Sequence, residues 1–139
     1  MRGSVYFHKK LKFSDGDTGE KLIVLLNSPK PSDPYLFVKT TSQQKRKPAT
    51  PGCIHNHLVF FIKCDGKQFL RKDTWVQLRE IYEFNSAYMI KHGIDKEIIK
   101  VGDLDYLCVN QIVNCLIQCN SDDILSSHKK LLNASKTNS

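Results

Sequence analysis

Leu36-Phe37-Val38-Lys39-Thr40-Thr41-Ser42 is a run of β-branched and aromatic residues that ends on adjacent hydroxyls. Such residues fit a pleated, half-buried surface, so the run predicts a strand from Tyr35 to Thr41. The polar, basic segment Gln43-Gln44-Lys45-Arg46-Lys47-Pro48 follows it directly. Upstream, Gly19-Glu20-Lys21 feeds Leu22-Ile23-Val24-Leu25-Leu26, the continuous apolar run expected of a strand buried on both faces. Two strand ends of this kind can present cations and hydroxyls to a phosphate-bearing ligand. Nucleic acid is therefore the first partner to consider.

The 139 residues suffice for one domain with a single core. A net charge of +7 and an isoelectric point near 9.2 favour an anionic partner. No run approaches the roughly 18 apolar residues that span a bilayer, and Met1 to Lys10 lacks the apolar core of a signal peptide. The five cysteines, Cys53, Cys64, Cys108, Cys115 and Cys119, show no framework-like spacing. The expectation is a cytoplasmic chain with reduced thiols.

Working outward, Ser4 to His8 alternates as a short strand, and Asp15 to Gly19 is a turn-rich loop lacking the later ligands of a calcium loop. Pro29, Pro31 and Pro34 mark the loop from Asn27 to Pro34. A strand from Cys53 to Lys63 leads to the hairpin-like turn Cys64-Asp65-Gly66-Lys67, and a returning strand begins at Gln68. Thr74 to Phe84 alternates, with Val76 and Leu78 on one face and Trp75, Gln77 and Arg79 on the other. Ser86 can cap a short helix, Ala87 to His92, closed by Gly93, and Glu97 to Val101 reads as the last strand.

The one long helical period runs from Leu104 to Cys119, expected to pack through Leu107, Ile112 and Leu116 with three cysteines in the same stripe. A further short helix through Leu132 follows, then a polar tail over residues 133–139. Short strands with frequent turns and a terminal amphipathic helix predict a mainly β chain, a small, strongly bent barrel in one domain over residues 1–132. The aromatics Tyr35, Phe37, Trp75, Tyr82 and Phe84 read as core or dimer-interface residues rather than base-stacking platforms, and their number for a small barrel favours a dimer.

Lys21 and Thr40 lie at strand ends, where a rigid scaffold presents reactive groups. A lysine brings positive charge to a phosphate, and a threonine hydroxyl can donate to a phosphoryl oxygen. A second constellation is Cys53-Ile54-His55-Asn56-His57, in which alternation points residues 53, 55 and 57 the same way, with Cys64 as a fourth ligand. That set suits tetrahedral zinc, but the spacing matches no familiar zinc module. No metal is expected, and His55 and His57 read instead as residues lining an RNA path.

In order along the chain, Gly3-Ser4-Val5-Tyr6, Gly19 to Leu25, Phe37 to Ser42, Thr74-Trp75-Val76-Gln77-Leu78 and Val101-Gly102-Asp103-Leu104 plus helix resemble the MazF/PemK family, the toxins of bacterial toxin-antitoxin pairs. The likeness runs from residue 3 to residue 119. It implies a Src-homology-3-like barrel, a homodimer, an antitoxin partner and metal-independent cleavage of single-stranded RNA. In that reaction the 2′-hydroxyl attacks the adjacent phosphate and leaves a cyclic phosphate and a 5′-hydroxyl. No cofactor is implied.

The family's catalytic arginine falls on Lys21 and its catalytic threonine on Thr40. The loop over the RNA groove falls on Ser42 to Pro48, so the RNA contacts implied are Thr41, Ser42, Gln43, Lys45, Arg46 and Lys47, with His55, His57 and Gln77 beside them. The chain departs from the pattern at Ser4 for an acidic residue, Leu22 for proline and Arg79-Glu80 for Asp-Gln. Lys21 also lacks the planar fork with which arginine grips phosphate. His8, Arg79 or Glu80 would then supply acid-base function. The alternative is a barrel of the same ancestry that binds RNA or a protein without cutting.

Overall fold

The computed structural model describes residues 2–43, 50–64, 70, 72–120 and 123–137. Among these residues the chain is mainly β, as expected. The strands are β1 (Ser4–Lys12), β2 (Thr18–Leu25), β3 (Tyr35–Thr41), β4 (Gly52–Ile54), β5 (Val59–Ile62), β6 (Thr74–Gln77), β7 (Tyr82–Phe84) and β8 (Ile98–Asp103). Three helices, α1 (Ser86–Ile94), α2 (Tyr106–Asn120) and α3 (Ser126–Thr137), complete it. All strand pairs are antiparallel, in the order β4-β5-β6-β3-β2-β1-β8, with β7 beside β3. Pairing among the described residues leaves the sheet open between β4 and β8.

β3 organises the sheet. One edge pairs Phe37 to Lys39 with Leu25 to Ile23 of β2. The other edge is shared: Tyr35 to Phe37 pair β7, and Thr40 and Thr41 pair β6. This explains a correction to the sequence reading. Thr74 to Phe84 alternates like one strand but divides in two, because residues 78–81 step from one half of β3 to the other.

Alternation sends side chains to two cores. Val5, Val24, Val38, Phe60 and Val76 pack under α2 and α3, against Val109, Ile112, Val113, Leu116 and Leu132. Ile23, Leu25 and Phe37 pack on the opposite face, where Met89 of α1 joins them. In α2 the Asp105 carboxylate caps the first turn by accepting from the Cys108 amide at 2.7 Å. Leu107 was expected in the packed stripe, but it is 64% exposed. Two residues before Val109, it falls on the other side of the helix.

Helix α1 is capped by Asn85, whose side chain accepts from Tyr88 N, rather than by Ser86. Gly93 lies within the helix, and the left-handed residue beyond it is Lys96, at φ 59°. Helix α3 buries Leu132 and continues to Thr137, past the boundary expected at residue 132. No helix among the described residues is long and apolar enough to cross a membrane.

The thiols also differ from expectation. Cys53 and Cys115 form a disulfide that ties β4 to α2, while Cys64, Cys108 and Cys119 are free. The two partners are 62 residues apart in sequence, and only the packing of β4 on α2 brings their Cα atoms to 5.6 Å.

Asn27 holds the proline-rich loop in place. Buried, it donates from Nδ2 to Pro34 O and accepts at Oδ1 from the Leu36 amide, both at 3.0 Å. Asn27→Ala strands two backbone groups away from water, so a loss of about 2–4 kcal/mol is expected. A urea midpoint that falls with an unchanged slope would register it, and an unmoved midpoint would contradict it.

Candidate nucleic-acid interface

Lys21 and Thr40, singled out in the sequence, both line a groove of about 560 Å³, although Lys21, expected at a strand end, lies inside β2, which already begins at Thr18. Lys21, Thr40, Thr41, Ser42 and Gln43 line it, together with Phe7, Glu20, Leu22, Leu70, Lys72 and Thr74. Glu20, Lys72 and Thr74 were missed in the sequence. The signal for Lys72 and Thr74 lies in the β3–β6 ladder, where Thr40 pairs with Val76 and so draws the residues just before Val76 to Thr40's end of the sheet, whereas Glu20 is two residues before Leu22 on β2 and so shares its face.

Register decides which groups face the groove, because residues paired across strands share a face. Phe7 pairs with Leu22, and both line the groove. His8 pairs with Lys21, which places these two on the opposite face. Lys21 therefore reaches the groove from its rim. Burial and the neighbouring Lys39 ammonium both lower its pKa.

The hydroxyls are not equivalent. Thr40 is buried, and its Oγ1 donates to the Leu22 carbonyl at 2.9 Å, so its proton is already engaged. Thr41 Oγ1 accepts from the Gln43 amide at 3.1 Å. Ser42 and Gln43 are exposed at the mouth, as are Lys72 and Glu20. Glu20 is the one carboxylate among the described lining residues.

Several expected site residues are not brought to this groove. Gln77 shares the face of Trp75, which pairs with Thr41, and its Oε1 is buried without a hydrogen-bond partner among the described residues. Arg79 and Glu80 line a separate depression beneath α3, with Asn120 and His128. His55 and His57 form a 3-10 turn after β4, which breaks the alternation that would have aligned them with Cys53. Cys64 lies apart from them, its thiol donating to Leu70 O at 3.1 Å, so the four residues weighed against the zinc pattern do not converge. Lys45, Arg46 and Lys47 lie outside the described residues. Set against known proteins, the chain matches no family model and no curated protein.

His8 is fully buried on the face away from the groove. Its Nδ1 accepts from the Lys10 amide at 3.1 Å, so Nε2 carries the proton and donates to Tyr88 Oη at 2.8 Å. Burial pushes its pKa below the usual 6.5, nearby His92 pushes the same way, and Glu97 opposes them. His92 in turn pairs with Glu97 at 2.6 Å.

The sign of the linkage is fixed by that lowering. As pH falls through 6.5 the unfolded chain takes a proton that the folded chain refuses, so stability is full above that value and declines below it. The slope approaches about 1.4 kcal/mol per pH unit at most. Denaturation midpoints measured from about pH 8 to about pH 5 should show a decline that His8→Asn flattens. An identical decline in that variant would place the titration elsewhere.

Proposed function

We propose that the chain is a MazF/PemK-like endoribonuclease that cleaves single-stranded RNA without a metal and is held in check by an antitoxin. The observation that carries this reading is the groove in which Lys21 and Lys72 meet the hydroxyl-bearing run Thr40, Thr41 and Ser42. Cations and hydroxyls at one opening suit a phosphodiester, whose non-bridging oxygens gain charge when the 2′-oxygen attacks. That bond forms as the bond from phosphorus to the 5′-oxygen breaks, giving a cyclic phosphate and a 5′-hydroxyl. In this reading Glu20, which lines the same groove, accepts the proton of the attacking hydroxyl, and solvent supplies one to the departing 5′-oxygen. The division of β3 between β6 and β7 supports reading the sheet as a bent, Src-homology-3-like barrel, and a homodimer belongs to the same reading.

Two observations favour a second reading, in which the groove binds RNA or a protein without cutting. Thr40 has spent its hydroxyl proton on Leu22, and Lys21 starts from the opposite face.

The test incubates the full chain with long single-stranded RNA in the absence of divalent metal. Cleavage that leaves cyclic phosphate ends supports the enzyme. Binding without cleavage supports the second reading. In either case binding should weaken with salt. If about three lysines displace counterions, the logarithmic slope is about −2, so doubling the salt weakens binding about fourfold. A flat salt dependence would remove RNA as the partner.

A further inference from the structure

Beside the disulfide lies a third sulfur with no assigned role. The Cys119 thiol, one helical turn after Cys115, is 3.9 Å from Cys115 Sγ. It is the donor there, since a disulfide sulfur carries no hydrogen. The three sulfur atoms of Cys53, Cys115 and Cys119 all lie within 4.8 Å of one another, drawn from β4 and from one face of α2. His55 stands against the Cys53 corner, its ring nitrogens 3.6 and 3.8 Å from Cys53 Sγ. Its Nε2 is 3.0 Å from Gln118 Oε1, an acceptor, so Nε2 carries the proton and Nδ1 keeps its lone pair.

We propose that reduction of the Cys53–Cys115 disulfide opens a zinc site in which Cys53, Cys115 and Cys119 supply three thiolates and His55 the fourth ligand.

The dimensions fit. Tetrahedral zinc, with bonds of about 2.3 Å to sulfur and about 2.0–2.1 Å to nitrogen, sets its ligands about 3.8 Å apart for two sulfurs and about 3.6 Å for sulfur and nitrogen. The Cys115–Cys119 separation of 3.9 Å and the 3.8 Å from Cys53 Sγ to His55 Nδ1 lie within 0.2 Å of these values. Three thiolates and an imidazole are soft donors that select zinc over calcium or magnesium. Gln118 supplies the outer contact that fixes the ring of a ligating histidine. Gln118, Gly52 and Gln111 also line an opening onto Cys53 and Cys115, through which an ion can enter.

The chemistry balances with a dithiol as reductant. Its two sulfurs become a disulfide as the Cys53–Cys115 bond breaks, leaving two thiols. Those two and Cys119 then lose their protons to solvent as the metal binds. Disulfide and zinc thus exclude each other, and each joins β4 to α2. The site shares no lining residue with the groove and does not depend on the RNA reading.

Cobalt(II) alone is the probe, added to the full chain before and after treatment with a phosphine reductant. The oxidised chain should bind none. The reduced chain should take one equivalent, show the visible bands of tetrahedral thiolate-bound cobalt, and lose them to added zinc. Cys119→Ser leaves the disulfide intact and should weaken binding at least tenfold. Gln118→Leu should weaken it about tenfold through the ring it orients, and Cys108→Ser should change nothing.

If the reduced chain loses its near-ultraviolet circular dichroism, cobalt should restore it. A reduced chain that shows no bands, or bands unaltered in Cys119→Ser, overturns the proposal, as does an unfolded reduced chain that cobalt does not restore.

Discussion

If the chain is the ribonuclease proposed above, Lys21→Ala should lower the rate of RNA cleavage by roughly 100- to 1,000-fold, the usual cost of removing one preorganised group that meets transition-state charge. Lys21→Arg does not lower it, because the guanidinium keeps the charge and adds the fork. Charge develops on the phosphorane, and a fixed cation meets it without reorganisation. Lys21 starts from the His8 face, whereas Lys72 lines the groove that Thr40 faces, so Lys72→Ala is the required comparison. Loss of activity in Lys72→Ala alone would assign the phosphate cation to Lys72.

Thr40→Ser should retain activity because it keeps the hydroxyl. Thr40→Ala should lose activity and also some stability, since the Leu22 carbonyl loses its donor. Each variant is assayed alongside a thermal melt, so that a lost fold is not taken for lost chemistry. Parent-like cleavage in both lysine variants would end the enzymatic reading.

A large effect on stability is also expected at Gly3, where the chain enters β1. Its φ of +94° is one that side chains rarely adopt, and an added Cβ would meet Val109 Cγ2 at 2.7 Å and the Leu104 carbonyl oxygen at 3.0 Å. Neither neighbour can give way easily. Val109 is buried in the α2 interface, and the backbone of Leu104 is held by the hydrogen bond its amide donates to Gly3 O at 2.9 Å. Backbone strain of about 1–2 kcal/mol and overpacking of similar size sum to about 3 kcal/mol for Gly3→Ala. That corresponds to a melting temperature lower by roughly 10 °C. Gly16, at φ +93° with nothing within 4 Å of an added Cβ, isolates the torsional part. Gly16→Ala should therefore cost about half as much, and equal losses at the two positions would remove the packing argument.

The strands β2 and β3 were legible because an apolar run and a β-branched run announce themselves locally. Helix α2 was legible from its period, although Leu107 was placed on the wrong side because a helical stripe read from spacing is wide. What escaped was whatever tertiary pairing imposes. The break between β6 and β7 reflects two demands made by β3, and no residue from 78 to 81 signals it alone. The turn at His55 to His57 ends β4 early and undoes the alternation that suggested a ligand set. The Cys53–Cys115 partnership depends on a helix that arrives some sixty residues later. At the groove, Lys21 and Thr40 were legible as neighbours of one opening, although Lys21 lies within β2 rather than at its end. Their opposite faces were not, because facing follows from register, and Lys72 and Glu20 gave no sign of themselves before the ladder was known.

The pairing of β1 has a consequence for how the protein is made. β1 lies between β2 and β8, and Ser4 finds its ladder partner at Asp103, 99 residues onward. A ribosome adding about 5–20 residues per second leaves β1 half-paired for roughly 5–20 s before β8 is even synthesised. Throughout that interval the newborn chain exposes an unsatisfied edge bearing Val5 and Phe7, the kind of surface that recruits chaperones or neighbouring chains on the same message. Termination before residue 98 would make that interval permanent. Partial translation products of this sequence are therefore destined for proteolysis or aggregation rather than for a smaller working domain.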